Sequence, residues 1–180
     1  TFEKEQFDRA KFKMMNTTEL VRIGLDERGE QLFTTQTMID KEEEMIRQAG
    51  NMKIEENHLI NEDIFKQTIA NYTLDPEQEN AVRRIVGGSD IKVLLGAAGT
   101  GKSYTLAAVR EAYEADGFRV QGMALSGIAA ENLEISSGIQ SETIFSKLSR
   151  WEQGKDLPTA KDILVVDEAG FVGTRQMHQI

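Results

Sequence analysis

Two kinds of apolar spacing run along this chain, one at helical period and one in short unbroken runs, and their order predicts the elements. Ile91 to Leu95 and Ile163 to Val166 are apolar runs of strand length, and Phe118 to Leu125 reads as a further strand. Helical stretches cover Lys102 to Ala115, Ile128 to Leu133 and Glu142 to Trp151, with a turn at Asp116-Gly117. Strands that are apolar on both faces and alternate with helices belong to a buried parallel sheet, so an α/β fold with helices on both faces is expected. Asp75-Pro76-Glu77-Gln78 opens a helix ahead of this pattern: Asp75 suits the N-cap, Pro76 the first helical position, and Gln78 can close a capping box. Gly87-Gly88 ends it.

The first half has a weaker rhythm. Phe2, Phe7 and Phe12 among strong helix formers predict a helix over Thr1 to Met15 that packs on another surface. Glu19 to Leu25 and Gln31 to Thr35 have strand character around a turn holding Gly29, which suggests a short hairpin. Met38, Ile39, Met45 and Ile46 predict a helix from Gln36 to Ala49 stopped by Gly50, and Ile64, Phe65, Thr68 and Ile69 another from Asn61 to Tyr72. His58, just ahead of the latter, reads as a surface or capping residue.

Charge places a boundary. Up to Asp75 the chain has ten Lys/Arg against sixteen Asp/Glu, and from Pro76 onward eleven against fourteen. Residues 1–74 are therefore taken as a small, mostly helical domain and 75–180 as the α/β domain, a division that 180 residues allow. The net charge of -9 excludes a basic, duplex-coating protein, though a local groove could still hold nucleic acid. Zero cysteines and two histidines exclude a disulfide framework, a thiolate metal site and a His-rich metal cluster. No apolar run approaches the roughly 18 residues that cross a bilayer, so no membrane insertion is expected and the cytoplasm is the default.

The strongest chemical signal is Gly96-Ala97-Ala98-Gly99-Thr100-Gly101-Lys102-Ser103, a GxxxxGK[ST] loop between an expected strand and an expected helix. Glycines let the backbone wrap an anion closely, and the N–H groups of Gly99, Thr100 and Gly101 together with the helix N-terminus face it. Lys102 reaches the β- and γ-phosphates and Ser103 ligates Mg²⁺. The second signal is the apolar run Ile163 to Val166 followed by Asp167-Glu168. At the carboxyl end of a parallel strand, Asp167 is placed to hold Mg²⁺ through its water shell and Glu168 to polarise an attacking water.

Taken together, Asp75 to Gln78, Gly96 to Ser103, Ala124-Leu125-Ser126-Gly127-Ile128-Ala129-Ala130, Thr143-Ile144 and Asp167 to Gly170 resemble superfamily 1 DNA helicases of the RecD type. The wording of Ala124 to Ala130 and of Asp167 to Gln176 is similar to the conjugative relaxase-helicases of the TraA type, and the likeness begins near Leu32-Phe33-Thr34-Thr35. The resemblance implies an incomplete RecA-like domain that binds ATP and Mg²⁺, in a bacterial helicase moving along single-stranded DNA during conjugation. It gives Gln78 the reading of adenine, and Ser126, Gly127 and Thr143 contacts to single-stranded DNA. Ser126-Gly127 also reads as a strand-to-helix turn and Thr143 as a helix cap. The chain departs from the RecD-type pattern at Ile128, where arginine is common.

A relaxase, a second motor domain with an arginine finger and a Gly-Asp-x-x-Gln motif would accompany these residues in that family, and none is found in 1–180. The segments Ile91–Leu95 and Ile163–Val166 are then expected to lack a shared neighbouring strand, and ATP turnover by these residues alone to stay near background. A stand-alone RecD-like repair helicase and a degenerate nucleotide-binding module without turnover are the rival readings.

Overall fold

The computed structural model describes residues 4–15, 17, 19–97 and 99–180. Phe2 and Ala98, both singled out above, lie outside the described residues. The chain divides into two compact units, Thr1–Arg47 and Gln48–Ile180.

The first unit holds helix α1 (Lys4–Met15), the antiparallel strands β1 (Leu20–Leu25) and β2 (Gln31–Thr35), and most of helix α2 (Gln36–Met52). The hairpin turn is set by Asp26, whose Oδ1 accepts the N–H of Arg28 at 2.9 Å and of Glu30 at 2.8 Å. No residue of α1 is buried, and its phenylalanines Phe7 and Phe12 are largely exposed. Helix α2 runs past Gly50 to Met52, because a glycine without a left-handed conformation need not stop a helix that continues to make its ladder.

The second unit carries α3 (Glu62–Ile69), α4 (Pro76–Val86), α5 (Lys102–Ala115), β3 (Arg119–Ala124), α6 (Gly127–Ser137), β4 (Ser141–Thr143), α7 (Ile144–Glu152), β5 (Asp162–Val166) and α8 (Thr174–Met177). Residue 74, where the charge balance shifts, falls between α3 and α4, and both helices feed one core. Phe65 of α3, Val82 and Val86 of α4, and Ala108, Val109, Ala112 and Tyr113 of α5 are buried together with Val120 of β3. The capping box expected at α4 is present: Asp75 accepts from the N–H groups of Glu77 and Gln78, and Gln78 Oε1 accepts the Asp75 N–H at 3.1 Å.

The open sheet is three-stranded and parallel, in the order β4-β3-β5, with helices flanking it. Strand β3 is buried on both of its alternating faces from Val120 to Ala124, as a central strand must be. Strand β4 corrects the helix expected from Glu142: Ser141, Glu142 and Thr143 are polar and carry no strand pattern, yet they pair with β3, and the helix begins at Ile144. The strand forms because Gly122 on β3 has no side chain: a Cβ there would run into Ser141 Oγ and come within 2.9 Å of Leu133 Cδ2.

One expected strand is corrected. Ile91–Leu95 has no regular secondary structure and joins no ladder among the described residues, and Val93 and Leu95 are 80% and 87% exposed. Among the described residues the ladders join β3 to β4 and β5 only, and the edge of β5 away from β3 carries no strand. Among the described residues, no helix is long and apolar enough to cross a membrane.

The end of the sheet remote from the glycine loop is tied by charge. Lys147 on α7 is 2% exposed, yet its ammonium donates to Gln121 Oε1 and to Asp156 Oδ2 at 2.7 Å. Arg119 pairs with Asp162 and with Asp156 at 2.8 Å, and Gln121 Nε2 donates to Asp162 Oδ1 at 2.7 Å. The loop 153–161, with Asp156 in the left-handed region at φ 51°, is thereby fastened to β3 and β5. Hydrogen bonds from Lys147 first, then from Arg119, hold the Asp156 carboxyl down to about 2. Burial alone would raise Asp162, but hydrogen bonds from Arg119 and Thr159 keep it well below the ordinary carboxylate range.

Depressed carboxyl pKa values stabilise the fold above the unfolded value of about 3.9, and that stability is lost as pH falls through the folded value. Urea melts should therefore show stability holding down to about pH 4 and dropping between there and about pH 2. Lys147→Met, which keeps the stem and removes the buried charge, should cost about 2 kcal/mol at neutral pH and shallow the acid slope. Parallel slopes for the two proteins would show that Lys147 does not hold the Asp156 carboxylate.

Candidate functional site

The glycine loop joins the unpaired segment 91–95 to the N-terminus of α5. Gly99 and Gly101 sit in the left-handed region at φ 80° and 75°, where an L side chain is strained. Space is tight as well. A Cβ on Gly96 would lie 2.7 Å from Thr100 Oγ1 and 3.2 Å from Lys102 Cγ, and one on Gly101 would collide with the Gln78 amide nitrogen.

Lys102, the first residue of α5, turns back over the loop, and its ammonium donates to the carbonyls of Gly96 at 2.6 Å and Ala97 at 2.9 Å. Thr100 Oγ1 donates to the Ala97 carbonyl at 2.9 Å. The lysine is thus held at the point where the α5 N-terminus presents its unpaired N–H groups, which is where a phosphate is best received. Gln78 approaches from α4, with its Nε2 donating to the Thr100 carbonyl at 3.4 Å.

Asp167 and Glu168 follow β5. The Asp167 N–H donates to the Met123 carbonyl at 2.9 Å, extending the parallel pairing by one residue, and Asp167 Oδ1 accepts the Glu168 N–H at 3.0 Å. Glu168 itself is exposed and left-handed at φ 50°, ψ 40°, a strained conformation for a glutamate that aims the backbone sharply out of the strand. A cleft of about 680 Å³ brings Gly96, Lys102, Ser103, Asp167 and Glu168 together. Ser103, Asp167 and Glu168 of this set carry the hard oxygen donors that suit Mg²⁺.

Ser126, Gly127 and Thr143, for which the resemblance implies contacts to DNA, lie elsewhere. Gly127 and Thr143 line a separate recess of about 510 Å³ that also contains Glu131, Glu134 and Glu142. Ser126 Oγ accepts the Ala129 N–H at 3.2 Å, capping α6, and Thr143 Oγ1 accepts the Ser146 N–H at 3.1 Å, capping α7. His58 is partly buried, with Nδ1 3.0 Å from Asp90 Oδ1 and its ring 5.6 Å from that of Phe118.

One group beside the site was not legible in the sequence. Tyr104 Oη accepts the Thr73 N–H at 3.1 Å, and Tyr72 Oη donates to Glu111 Oε2 at 2.7 Å. Burial, then the bond to Glu111, pushes the Tyr72 phenol up to about 12. These partners are more than thirty residues apart in sequence, so no local spacing announces them.

Residues 73–180 match the AAA domain family. The conjugal transfer protein TraA of Agrobacterium fabrum is 38% identical over 146 residues, which is 81% of this chain and 13% of that protein. The probable conjugal transfer protein TraA of Sinorhizobium fredii is also 38% identical over 146 residues, with the same 81% and 13% covered. The conjugal transfer protein TraA of Rhizobium radiobacter is 39% identical over 153 residues, 83% of this chain and 14% of that protein. The chain therefore spans 13 to 14% of the length of these relatives.

The two left-handed glycines should respond differently to substitution. Gly99→Ala meets nothing within 4 Å among the described residues, so it should lose only the conformational term, about 1 kcal/mol. Gly101→Ala also meets the movable end of the Gln78 side chain and should lose in addition the Gln78 to Thr100 hydrogen bond, about 1 kcal/mol. Denaturant midpoints of the two variants against the parent check the order, and an equal loss would mean that Gln78 does not pack against the loop.

Proposed function

The chain belongs to the AAA domain family, and on that premise we propose that its second unit is the ATP-binding part of a DNA helicase, a translocase on single-stranded DNA in conjugative transfer. The observation that carries the reading is the shared cleft, in which the phosphate-loop lysine and the carboxylate pair after β5 meet. Either motif alone has an ordinary explanation as a glycine turn or a solvated loop. Brought together from positions far apart in the chain, they form the two halves of a phosphate-transfer site.

In this reading Lys102 exchanges its two loop carbonyls for the β- and γ-phosphate oxygens of ATP, and the amides from Gly99 to Ser103 take the remaining oxygens. Ser103 and Asp167 hold Mg²⁺, which when bound offsets the negative charge of the phosphate chain. Glu168, free of the sheet and exposed, orients water for attack and accepts its proton. Gln78 reads the adenine edge from the α4 side of the loop. Ser126, Gly127 and Thr143 contact the DNA strand: both hydroxyls accept a cap N–H and keep their own O–H to donate to a phosphate, and Ser126 and Gly127 are exposed.

The parent protein, on the same reading, works in the bacterial cytoplasm with a relaxase and a second motor domain as partners. That domain would bring an arginine opposite Glu168. The name conjugal transfer protein, borne by relatives that match most of this chain, favours this assignment over a stand-alone repair helicase.

Titration with Mg-ATP tests the nucleotide half of the proposal. Lys102→Ala removes a charge-assisted phosphate contact and should weaken binding by about 10- to 100-fold, with shifts in the Gly96 to Ser103 amides lost in parallel; unchanged affinity would sink it. For the DNA half, an acidic chain with net charge -9 should bind single strands weakly, with steep salt dependence and little sequence preference. Tight duplex binding at moderate salt, measured by fluorescence anisotropy, would be the contrary result.

A further inference from the structure

Helix α5 carries more than the phosphate residues. Its third residue, Tyr104, accepts the Thr73 N–H at 3.1 Å, and its ring lies 5.2 Å from that of Tyr72 at 60°. Two turns further on, Glu111 accepts from Tyr72 Oη at 2.7 Å and from Asn71 Nδ2 at 3.4 Å. The strap Asn71-Tyr72-Thr73 is therefore pinned at consecutive residues to the same helix whose N-terminus bears Lys102 and Ser103. Immediately after the strap, Asp75 caps α4, and one turn into α4 stands Gln78.

The Gln78 amide is engaged at both ends in this structure. Its Oε1 accepts the Asp75 N–H and its Nε2 donates to the Thr100 carbonyl. Each end keeps one further hydrogen-bonding position for a base edge, but the bond to Thr100 is long at 3.4 Å and the base competes with both contacts, so they cannot by themselves fix the distance of the amide from the phosphates. The strap can. Adenine offers a donor at N6 and an acceptor at N7, whereas guanine offers an acceptor at O6 beside the same N7. An amide tells them apart only if it is registered against the phosphate loop, because an acceptor left facing an acceptor is penalised only when the base cannot shift away.

We propose that Tyr104 is a positioning residue for base selectivity: its hydroxyl, by holding Thr73, sets the start of α4 and hence Gln78 at a fixed distance from the phosphate loop. This rests on the nucleotide reading above and adds to it a residue outside both motifs. The phenolic oxygen is what matters. The ring could pack on Tyr72 without it, but the Thr73 N–H would lose its acceptor and the strap one of its three ties to α5.

Tyr104→Phe keeps the ring and deletes that acceptor. Calorimetric affinities for Mg-ATP, Mg-GTP and tripolyphosphate should be compared in the parent protein, Tyr104→Phe and Gln78→Ala. The expected result is a fall in the ATP-to-GTP preference of Tyr104→Phe by about three- to tenfold, with tripolyphosphate affinity unchanged. A purely structural tyrosine would weaken all three ligands together, and that outcome overturns the proposal. If Gln78→Ala abolishes the preference while Tyr104→Phe leaves it intact, Gln78 reads the base without help from the strap and the proposal fails alone. If Gln78→Ala leaves the preference intact, the adenine reading fails and the proposal with it.

Discussion

Helix α5 has to satisfy two demands at opposite ends, and the rest of the second unit follows from that. Its N-terminus must stay open, with unpaired N–H groups and Lys102 gathered over a glycine loop, and open helix ends are the part of a helix most prone to fray. Its position is instead secured from behind. Ala108, Val109, Ala112 and Tyr113 are buried against α4 and β3, and Tyr113 donates to the Ile85 carbonyl at 2.9 Å. A rigid body and an uncommitted end let the helix offer a charged site without giving up packing.

The sheet repeats that division of labour. At the carboxyl end of β5, Asp167 and the strained Glu168 leave the ladder and enter the cleft. At the other end, Arg119, Gln121, Lys147, Asp156 and Asp162 bind one another closely, so that the loop 153–161 cannot drift. Lys147 is tolerated in the interior because its ammonium has partners of opposite charge and hydrogen-bonding geometry rather than bare apolar neighbours. A stiff, saturated end and a polar, open end give the parallel sheet a direction, and the candidate chemistry lies at the open one.

The unpaired segment 91–95 sits between these arrangements. It delivers the chain into the glycine loop without a ladder of its own, and the cleft it shares with β5 is walled on both sides by apolar residues. Its placement depends on side-chain packing, such as half-buried Leu94, and on the hydrogen bond from Ser89 Oγ to the Ile91 carbonyl at 3.2 Å.

Legibility in the sequence tracked the range of the interaction responsible. The capping box at Asp75 and Gln78, the hairpin around Asp26, helix α5 and the GxxxxGK[ST] loop are specified by residues within a few positions of each other, and all of these are legible in the sequence. The run Ile91 to Leu95 had every local mark of a strand, but strand pairing needs a neighbour, and local composition cannot supply one. Strand β4 is the converse: three polar residues become a strand only because Gly122 leaves room beside β3. The chemistry of the site was likewise written in two short motifs. Its assembly into one cleft, the engagement of Gln78 with Thr100, and the strap held by Tyr104 were decided by the tertiary structure. They depend on groups 22 to 39 residues apart, or farther, meeting at hydrogen-bond distance, and no periodicity in a chain encodes such a meeting.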